Sequence, residues 1–157
     1  MITVARATTL VKMSVDDAPE QIPGVAAHPR RAVVRSRVTM RPDTVAAVAA
    51  HSLKKGDVLS TARFAGVHAA KGASSLLVDT PATDVRSVTV DFTLGGDAID
   101  VEVAVEVGGD VSAVMPAFSG ATVAALTLYD MCKSADRTMV IGPVELVDPT
   151  GGEHLSS

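Results

Sequence analysis

Residues 85–107, VRSVTVDFTLGGDAIDVEVAVEV, contain the clearest fold signal in the chain. Two runs, 85–94 and 98–107, are rich in β-branched residues and alternate apolar with polar positions, as half-buried strands do. The glycine-rich turn Gly95-Gly96-Asp97 lies between them and suits a tight chain reversal. The sequence therefore predicts an antiparallel β-hairpin in the middle of the chain.

The segments on either side of the hairpin show strand and helix patterns. One strand is predicted over residues 32–40 and another over 138–147. Apolar residues at helical spacing predict three helices, over residues 41–55, 58–71 and about 114–134. Asp57 suits the N-cap of the second helix, which should end near Gly72. The order strand, two helices, two strands, helix, strand predicts an α+β, ferredoxin-like fold, with helices packed on one face of an antiparallel sheet.

The chain length suits a single domain with a substantial core. We predict an N-terminal strand or loop arm over residues 1–31, because three prolines and a glycine interrupt its second half. The domain is expected to span residues 32–152, and residues 153–157 should form a flexible tail.

The composition argues against several classes of partner. The net charge of −4 disfavours nucleic acid and anionic membranes, and an aromatic content of 3% disfavours stacking on bases. No signal peptide or long apolar span is evident, so a cytosolic location is expected. The four histidines show no metal-ligand spacing, and Cys132, the single cysteine, is expected to be a small core residue.

Asp130 and Lys133 are three residues apart on the last predicted helix and so share a face. They are either an ordinary surface ion pair or an acid/base pair in a pocket. Lys54, Lys55 and Asp57 flank a glycine at a helix junction, which is either a solvated loop or an anion site at a helix N-terminus. Arg63 and Lys71 lie eight residues apart on one side of the second helix.

Two stretches, KKGDVLSTARFAGVHAAK at 54–71 and VAALTLYDMCKSADRTMVIGPVEL at 123–146, resemble the MoaC family, the cyclic pyranopterin monophosphate synthases of molybdenum cofactor biosynthesis. The shorter stretch VTMRPDT at 38–44 fits the same pattern. With the matching order of elements, the resemblance covers about residues 32–152.

The resemblance implies a ferredoxin-like fold assembled as a homo-hexamer, a trimer of dimers with each active site shared across a dimer interface. It also implies a lyase-type reaction that converts 3′,8-cyclised dihydro-GTP to cyclic pyranopterin monophosphate. The purine ring is opened and rebuilt as a pterin, and pyrophosphate leaves as a cyclic phosphate forms. The implied partner is thus a purine nucleotide triphosphate, with no metal or organic cofactor.

The matching motif positions imply two groups of site residues. The catalytic group comprises Lys133, Lys55 and Asp130, and the substrate-binding group comprises Arg63, Lys71 and Arg137. Several basic groups suit a triphosphate, which needs ammonium or guanidinium partners.

The chain also departs from the family pattern, both in its N-terminal and closing segments and at two motifs of the active site. The family's PLCHP loop, whose histidine belongs to the active site, corresponds to a stretch in which Thr80 and Pro81 replace the Cys-His pair. The family's GVEMEAL segment becomes SAVMPAF, so Val114 and Pro116 replace two glutamates. Asp79 and Asp84 are candidates to supply carboxylates from the altered loop.

Three functions follow from this pattern. The chain is a divergent cyclic pyranopterin monophosphate synthase, a related enzyme acting on another purine nucleotide intermediate, or a non-catalytic member that co-assembles with an active relative.

Overall fold

The computed structural model describes residues 30–148. Its elements, in chain order, are β1 (Arg31–Thr39), α1 (Pro42–Ala49), α2 (Val58–Lys71), α3 (Ala73–Leu76), β2 (Val85–Leu94), β3 (Ala98–Val107), α4 (Val114–Cys132) and β4 (Val140–Asp148). The predicted arm, apart from its last two residues, and the predicted tail lie outside the described residues. None of the helices within this range is both long and apolar enough to cross a membrane.

The four strands form one sheet in the order β2-β3-β1-β4, and every neighbouring pair is antiparallel. The predicted hairpin is confirmed as β2 and β3, with the turn at the expected residues. β1 lies between β3 and β4, so the first and last strands of the domain are neighbours, and β4 forms one edge of the sheet. This arrangement confirms the α+β, ferredoxin-like prediction.

The core lies between the helices and one face of the sheet. Inward-pointing valines of β1 and β3, such as Val34 and Val103, are fully buried, as is Leu128 of α4. The alternate residues Arg35 and Arg37 are exposed on the opposite face. The period of two along the strands therefore separates an apolar face from a charged one.

Helices α2 and α4 pack closely through two glycines. A Cβ atom placed on Gly66 would lie 3.1 Å from the carbonyl oxygen of Gly120, and one placed on Gly120 would lie 3.1 Å from the carbonyl oxygen of Gly66. Since α2 begins near the C-terminal end of α4, the two helices run in opposite directions.

The first helix is shorter than predicted. It ends at Ala49 because His51 adopts a left-handed conformation with φ of 51°, and Ser52 N–H donates to the carbonyl oxygen of Ala47. Together with the bond from His51 N–H to Val48, this is a Schellman motif with histidine where glycine is usual. Lys54 and Lys55 consequently lie in a connection rather than on a helix.

The second helix has the predicted bounds. Asp57 accepts a hydrogen bond from Ser60 N–H, which confirms it as the N-cap, and Gly72 is the C-cap. The additional four-residue helix α3, which the sequence pattern did not predict, follows at once.

Candidate functional site

The C-terminal end of α4 carries the predicted acid and base side by side. Lys133 follows the last residue of the helix, and its Nζ donates to Oδ1 of Asp130 at 2.6 Å. The two residues are one helical turn apart, so the helix itself sets this geometry.

Lys55 joins this pair from the connection between α1 and α2. Its Nζ donates to the main-chain carbonyl oxygen of Asp130 at 2.9 Å and lies 3.6 Å from the carboxylate oxygen Oδ2. Gly56, whose φ is +90°, turns the chain just after this lysine. The three residues predicted to be catalytic therefore converge at one place, which we name the lysine cluster: Lys55, Asp130 and Lys133.

The charges of the lysine cluster are unequal, with two cations around one anion. The hydrogen bond from Lys133, followed by the positive charges of Lys133 and Lys55, lowers the pKa of the Asp130 carboxyl. The side chains are 40%, 55% and 50% exposed for Lys55, Asp130 and Lys133, so all three are open to a ligand. Such a site can attract an anion while holding an ionised carboxylate beside it.

Asp57 does not leave the N-terminus of α2 free for an external anion. Its Oδ1 accepts from the N–H of Ser60 and its Oδ2 from the Ser60 hydroxyl. These hydrogen bonds lower the pKa of Asp57. The protein's own carboxylate thus occupies the position that the helix-terminus hypothesis gave to a bound ligand.

The segment after Lys133 is held by a buried aspartate that sequence analysis overlooked. Asp136 is 1% exposed, and each of its two carboxylate oxygens accepts two hydrogen bonds. Oδ2 accepts from Arg41 N–H and the Thr44 hydroxyl, and Oδ1 accepts from Thr138 N–H and the Thr138 hydroxyl. The Arg41 N–H and then the Thr138 hydroxyl are the main reasons that the pKa of Asp136 lies well below its usual range. The only local signal is an aspartate two residues before a threonine, which is typical of a side-chain-bonded turn.

Arg137 lies between these held positions and is exposed. It follows Lys133 by four residues, on the connection that leads from α4 into β4. The structure therefore places this predicted substrate-binding residue on the same connection that begins with Lys133.

Arg63 and Lys71 do not join the lysine cluster within one chain. The Nε atom of Arg63 donates to the carbonyl oxygen of Val90 at 2.9 Å, and its guanidinium lies over the Phe92 ring, 5.4 Å from the centroid. Lys71 is the last residue of α2, and a rise of 1.5 Å per residue puts it roughly 20 Å along the helix from its start near Lys55.

Away from the lysine cluster, a polar hollow of about 450 Å³ lies on the exposed face of the sheet. Its arginines are already paired: Arg37 makes two hydrogen bonds to Asp100, at 2.7 and 2.9 Å, and Arg35 makes one to Glu102 at 2.7 Å. Within residues 30–148 no three His, Cys, Asp or Glu side chains converge as a metal site requires.

Comparison with known proteins identifies the family. Residues 21–152 match the model of the MoaC family. The chain belongs to the MoaC family. It is 44% identical over 125 residues to the cyclic pyranopterin monophosphate synthase of Roseiflexus castenholzii, covering 78% of this chain and 79% of the relative. The synthase of Chloroflexus aurantiacus is 39% identical, with 78% and 77% covered.

A longer relative also matches. The molybdenum cofactor biosynthesis bifunctional protein of Chlorobaculum tepidum is 36% identical over 128 residues, which cover 82% of this chain and 41% of that protein.

Two positions at which this MoaC-family chain departs from a family motif lie at the end of α4 opposite the lysine cluster. Val114 and Pro116 are in the first turn of α4, and the 19 residues of that helix span roughly 28 Å. Thr80 and Pro81 are in the loop after α3, and Leu76 and Leu77, which precede that loop, line one hollow with Met115 and Phe118 of the first turns of α4. Lys71 ends α2 immediately before α3. The lysine cluster thus lies at one end of α4, and the altered positions Val114 and Pro116 lie at the other.

Proposed function

We propose that this MoaC-family protein acts in molybdenum cofactor biosynthesis, and that its reaction is the conversion of 3′,8-cyclised dihydro-GTP to cyclic pyranopterin monophosphate. The observation that carries the proposal is the convergence of Lys55, Asp130 and Lys133, from segments 75 residues apart, at one exposed site.

The lysine cluster suits the charge of this substrate. A triphosphate carries several negative charges, and exposed ammonium and guanidinium groups are their natural partners. Lys55 and Lys133 lie within contact of one carboxylate, and Arg137 follows on the same connection. These groups would bind the phosphates and offset the charge that builds on pyrophosphate as it leaves.

Asp130 and Lys133 would move protons. Opening and closing the ring needs a proton donor and a proton acceptor within hydrogen-bond reach of the substrate. A cyclic phosphate forms only when a substrate hydroxyl loses its proton. Asp130 is ionised at neutral pH, since its pKa is lowered by Lys133 and Lys55, so it would accept a proton or hold Lys133 in place. Lys133 would act as the general acid.

We further propose a homo-hexamer in which each site is shared between two copies. The support is an apolar surface on the described part of the chain, formed by α3, the two residues after it and the outer side of α4. Leu76 is 58% exposed, Val78 is 101% exposed and Leu126 is 54% exposed. Exposed apolar area of this kind marks interfaces. Sharing would also bring Lys71 of one copy to the lysine cluster of another, which one chain cannot do.

The test is a coupled assay with the upstream radical enzyme generating the cyclised dihydro-GTP in place. The product is followed through its fluorescent oxidised derivative, with wild type, Lys133→Ala and the exposed cation variant Arg31→Ala as a control. Product from wild type and Arg31→Ala but not from Lys133→Ala supports the proposal. A folded wild-type protein that yields no product overturns it and directs the search to other purine nucleotides.

A second candidate function rests on where the altered family-motif positions lie in the structure. Val114 and Pro116 lie at the end of α4 opposite the lysine cluster, and Thr80 and Pro81 follow α3, whose last residue Leu76 shares a hollow with Met115 near that end. If each active site is shared between two copies, this chain supplies an intact lysine cluster to one site and the altered motif positions to another. It would then act as a non-catalytic subunit that completes sites in an active relative.

Co-expression tests this alternative. An active MoaC-family relative whose own cluster lysine is replaced by alanine is produced with and without this chain. Product that appears only in the mixture, and disappears with Lys133→Ala in this chain, supports the subunit role. Product from this chain alone excludes it.

A further inference from the structure

Asp136 is a buried carboxylate that no cation contacts among the described residues. It is 1% exposed, and all four groups that bond it are neutral donors. Burying a charge is costly unless hydrogen bonds replace the lost water. An aspartate at such a position needs a reason beyond filling space, because an apolar residue would fill it at lower cost.

The four bonds join two segments that are distant in sequence. Oδ2 accepts from Arg41 N–H at 2.9 Å and from the Thr44 hydroxyl at 3.2 Å, at the start of α1. Oδ1 accepts from Thr138 N–H at 2.9 Å and from the Thr138 hydroxyl at 2.7 Å. The carboxylate therefore fastens the connection from α4 to β4 onto the connection from β1 to α1.

Arg137 lies between the two residues, Asp136 and Thr138, that these hydrogen bonds hold in place. Its neighbours are Asp136, whose side chain is buried, and Thr138, which is bonded to that side chain through both its N–H and its hydroxyl. The guanidinium of Arg41 adds a bond to the carbonyl oxygen of Ala135 at 3.0 Å. Because the backbone is held on both sides of Arg137, the Cα atom that carries its exposed side chain has a fixed position.

We infer that Asp136 is a positioning residue that presents Arg137 to the phosphate groups of a nucleotide bound at the lysine cluster. This inference rests on the proposed function, because it takes the triphosphate of that substrate as the ligand. Fixing the root of a long side chain lowers the entropy lost when its guanidinium binds. In Asp136→Asn one oxygen is replaced by an NH₂ group, which cannot accept hydrogen bonds from the two donors that face it. The link between the two connections would therefore be broken.

The test is calorimetric titration of GTP, used as the triphosphate probe, into the full chain. The variants are Arg137→Ala, Asp136→Asn, the double variant, and Thr138→Val, which removes one donor while leaving the buried carboxylate in place. Asp100→Asn, on the exposed face of the sheet, is the matched control. Thermal unfolding of each variant runs alongside, so that loss of fold is distinguished from loss of binding.

We expect Arg137→Ala to weaken GTP binding about tenfold, as loss of one charge-assisted contact does. Asp136→Asn should weaken it by a similar factor and Thr138→Val by roughly threefold. The double variant should bind no more weakly than Arg137→Ala alone, because Asp136 acts through Arg137. The control should bind as wild type does.

Three results overturn the inference. Full additivity of Asp136→Asn and Arg137→Ala means that Asp136 is structural only. Unchanged binding in Thr138→Val together with a tenfold loss in Arg137→Ala shows that Arg137 needs no such support, even if Asp136→Asn does not fold. Wild type that does not bind GTP also overturns the inference, whereas the coupled assay alone decides the proposed function, so the two failures are distinguished.

Discussion

The Nζ atom of Lys55 donates to the main-chain carbonyl oxygen of Asp130 at 2.9 Å, across 75 residues of sequence. This bond fixes a lysine from a glycine-broken connection onto the last turn of α4. The C-terminal carbonyls of a helix favour a cation, so the contact is stabilising as well as directional. It leaves the carboxylate of Asp130 between two ammonium groups, Lys55 and Lys133.

Asp130→Asn separates binding from chemistry at the lysine cluster. Removing the carboxylate leaves Lys55 and Lys133 without their counter-charge, so GTP should bind roughly two- to fivefold more tightly at low salt. Turnover should fall on the order of 10²-fold, because the proton acceptor is lost. Calorimetry at two salt concentrations and the coupled assay measure the two effects. Unchanged turnover would show that Asp130 only anchors lysines.

Lys133→Ala should abolish activity while keeping the fold. The side chain is half exposed and its partner Asp130 is more exposed still, so its removal leaves no buried charge. Turnover should fall on the order of 10²- to 10⁴-fold, and the thermal midpoint should stay close to that of wild type. A variant that unfolds or loses its oligomeric state would show that Lys133 is structural.

The parts of the fold that could be predicted from sequence are those set by local signals. The N-cap at Asp57 and the glycine after Lys71 give α2 its bounds, and alternation around a Gly-Gly-Asp turn gives the hairpin. The end of α1 could not be predicted, because the left-handed residue is His51 and not a glycine. Because glycine is the usual residue at this point of a Schellman motif, a histidine gives no local signal that the helix ends here.

The site was predictable only in part for the same reason. The spacing of Asp130 and Lys133 placed them on one face of a helix, but their meeting with Lys55 depends on how α2 crosses α4 at Gly66 and Gly120. Asp136 resembles any polar loop residue in the sequence. Its burial becomes evident only when the start of α1 packs over it.

Asp136 should make the stability of the protein depend on pH in the acid range. Its pKa in the folded protein is lowered, so its stabilising contribution is fully present above the unfolded-state pKa of about 3.9 and is lost as the pH falls below that value. Asp136→Asn should therefore be less stable than wild type at pH 7, with a difference that shrinks below about pH 4. Urea unfolding from pH 2.5 to 7 measures this. A difference that stays constant over that range would mean that the carboxylate charge is not the cause.

The glycines between α2 and α4 should not tolerate a side chain. A Cβ on Gly66 would meet Ala124 Cβ and Gly120 O at 3.1 Å and Val90 Cγ2 at 3.3 Å, so the helices would have to separate. We expect Gly66→Ala to cost about 1–3 kcal/mol of unfolding free energy, as overpacking does. Gly96→Ala is the control, because a Cβ there meets nothing within 4 Å. Equal stability of the two variants in chemical denaturation would contradict the close packing.

The exposed apolar side of α4 should be an interface between copies. Leu126 is 54% exposed and lies one turn before Asp130, so a copy seated on it would also border the lysine cluster. Leu126→Glu should convert the proposed hexamer to smaller species without unfolding the chain, because a charge buried against an apolar surface is costly. Light scattering after size exclusion reports the mass, and Ser87→Glu, at an exposed polar position on β2, is the control. If sites are shared, activity should fall with the mass. An intact hexamer in Leu126→Glu would exclude this surface as the interface, and smaller species with full activity would show that one chain holds a complete site.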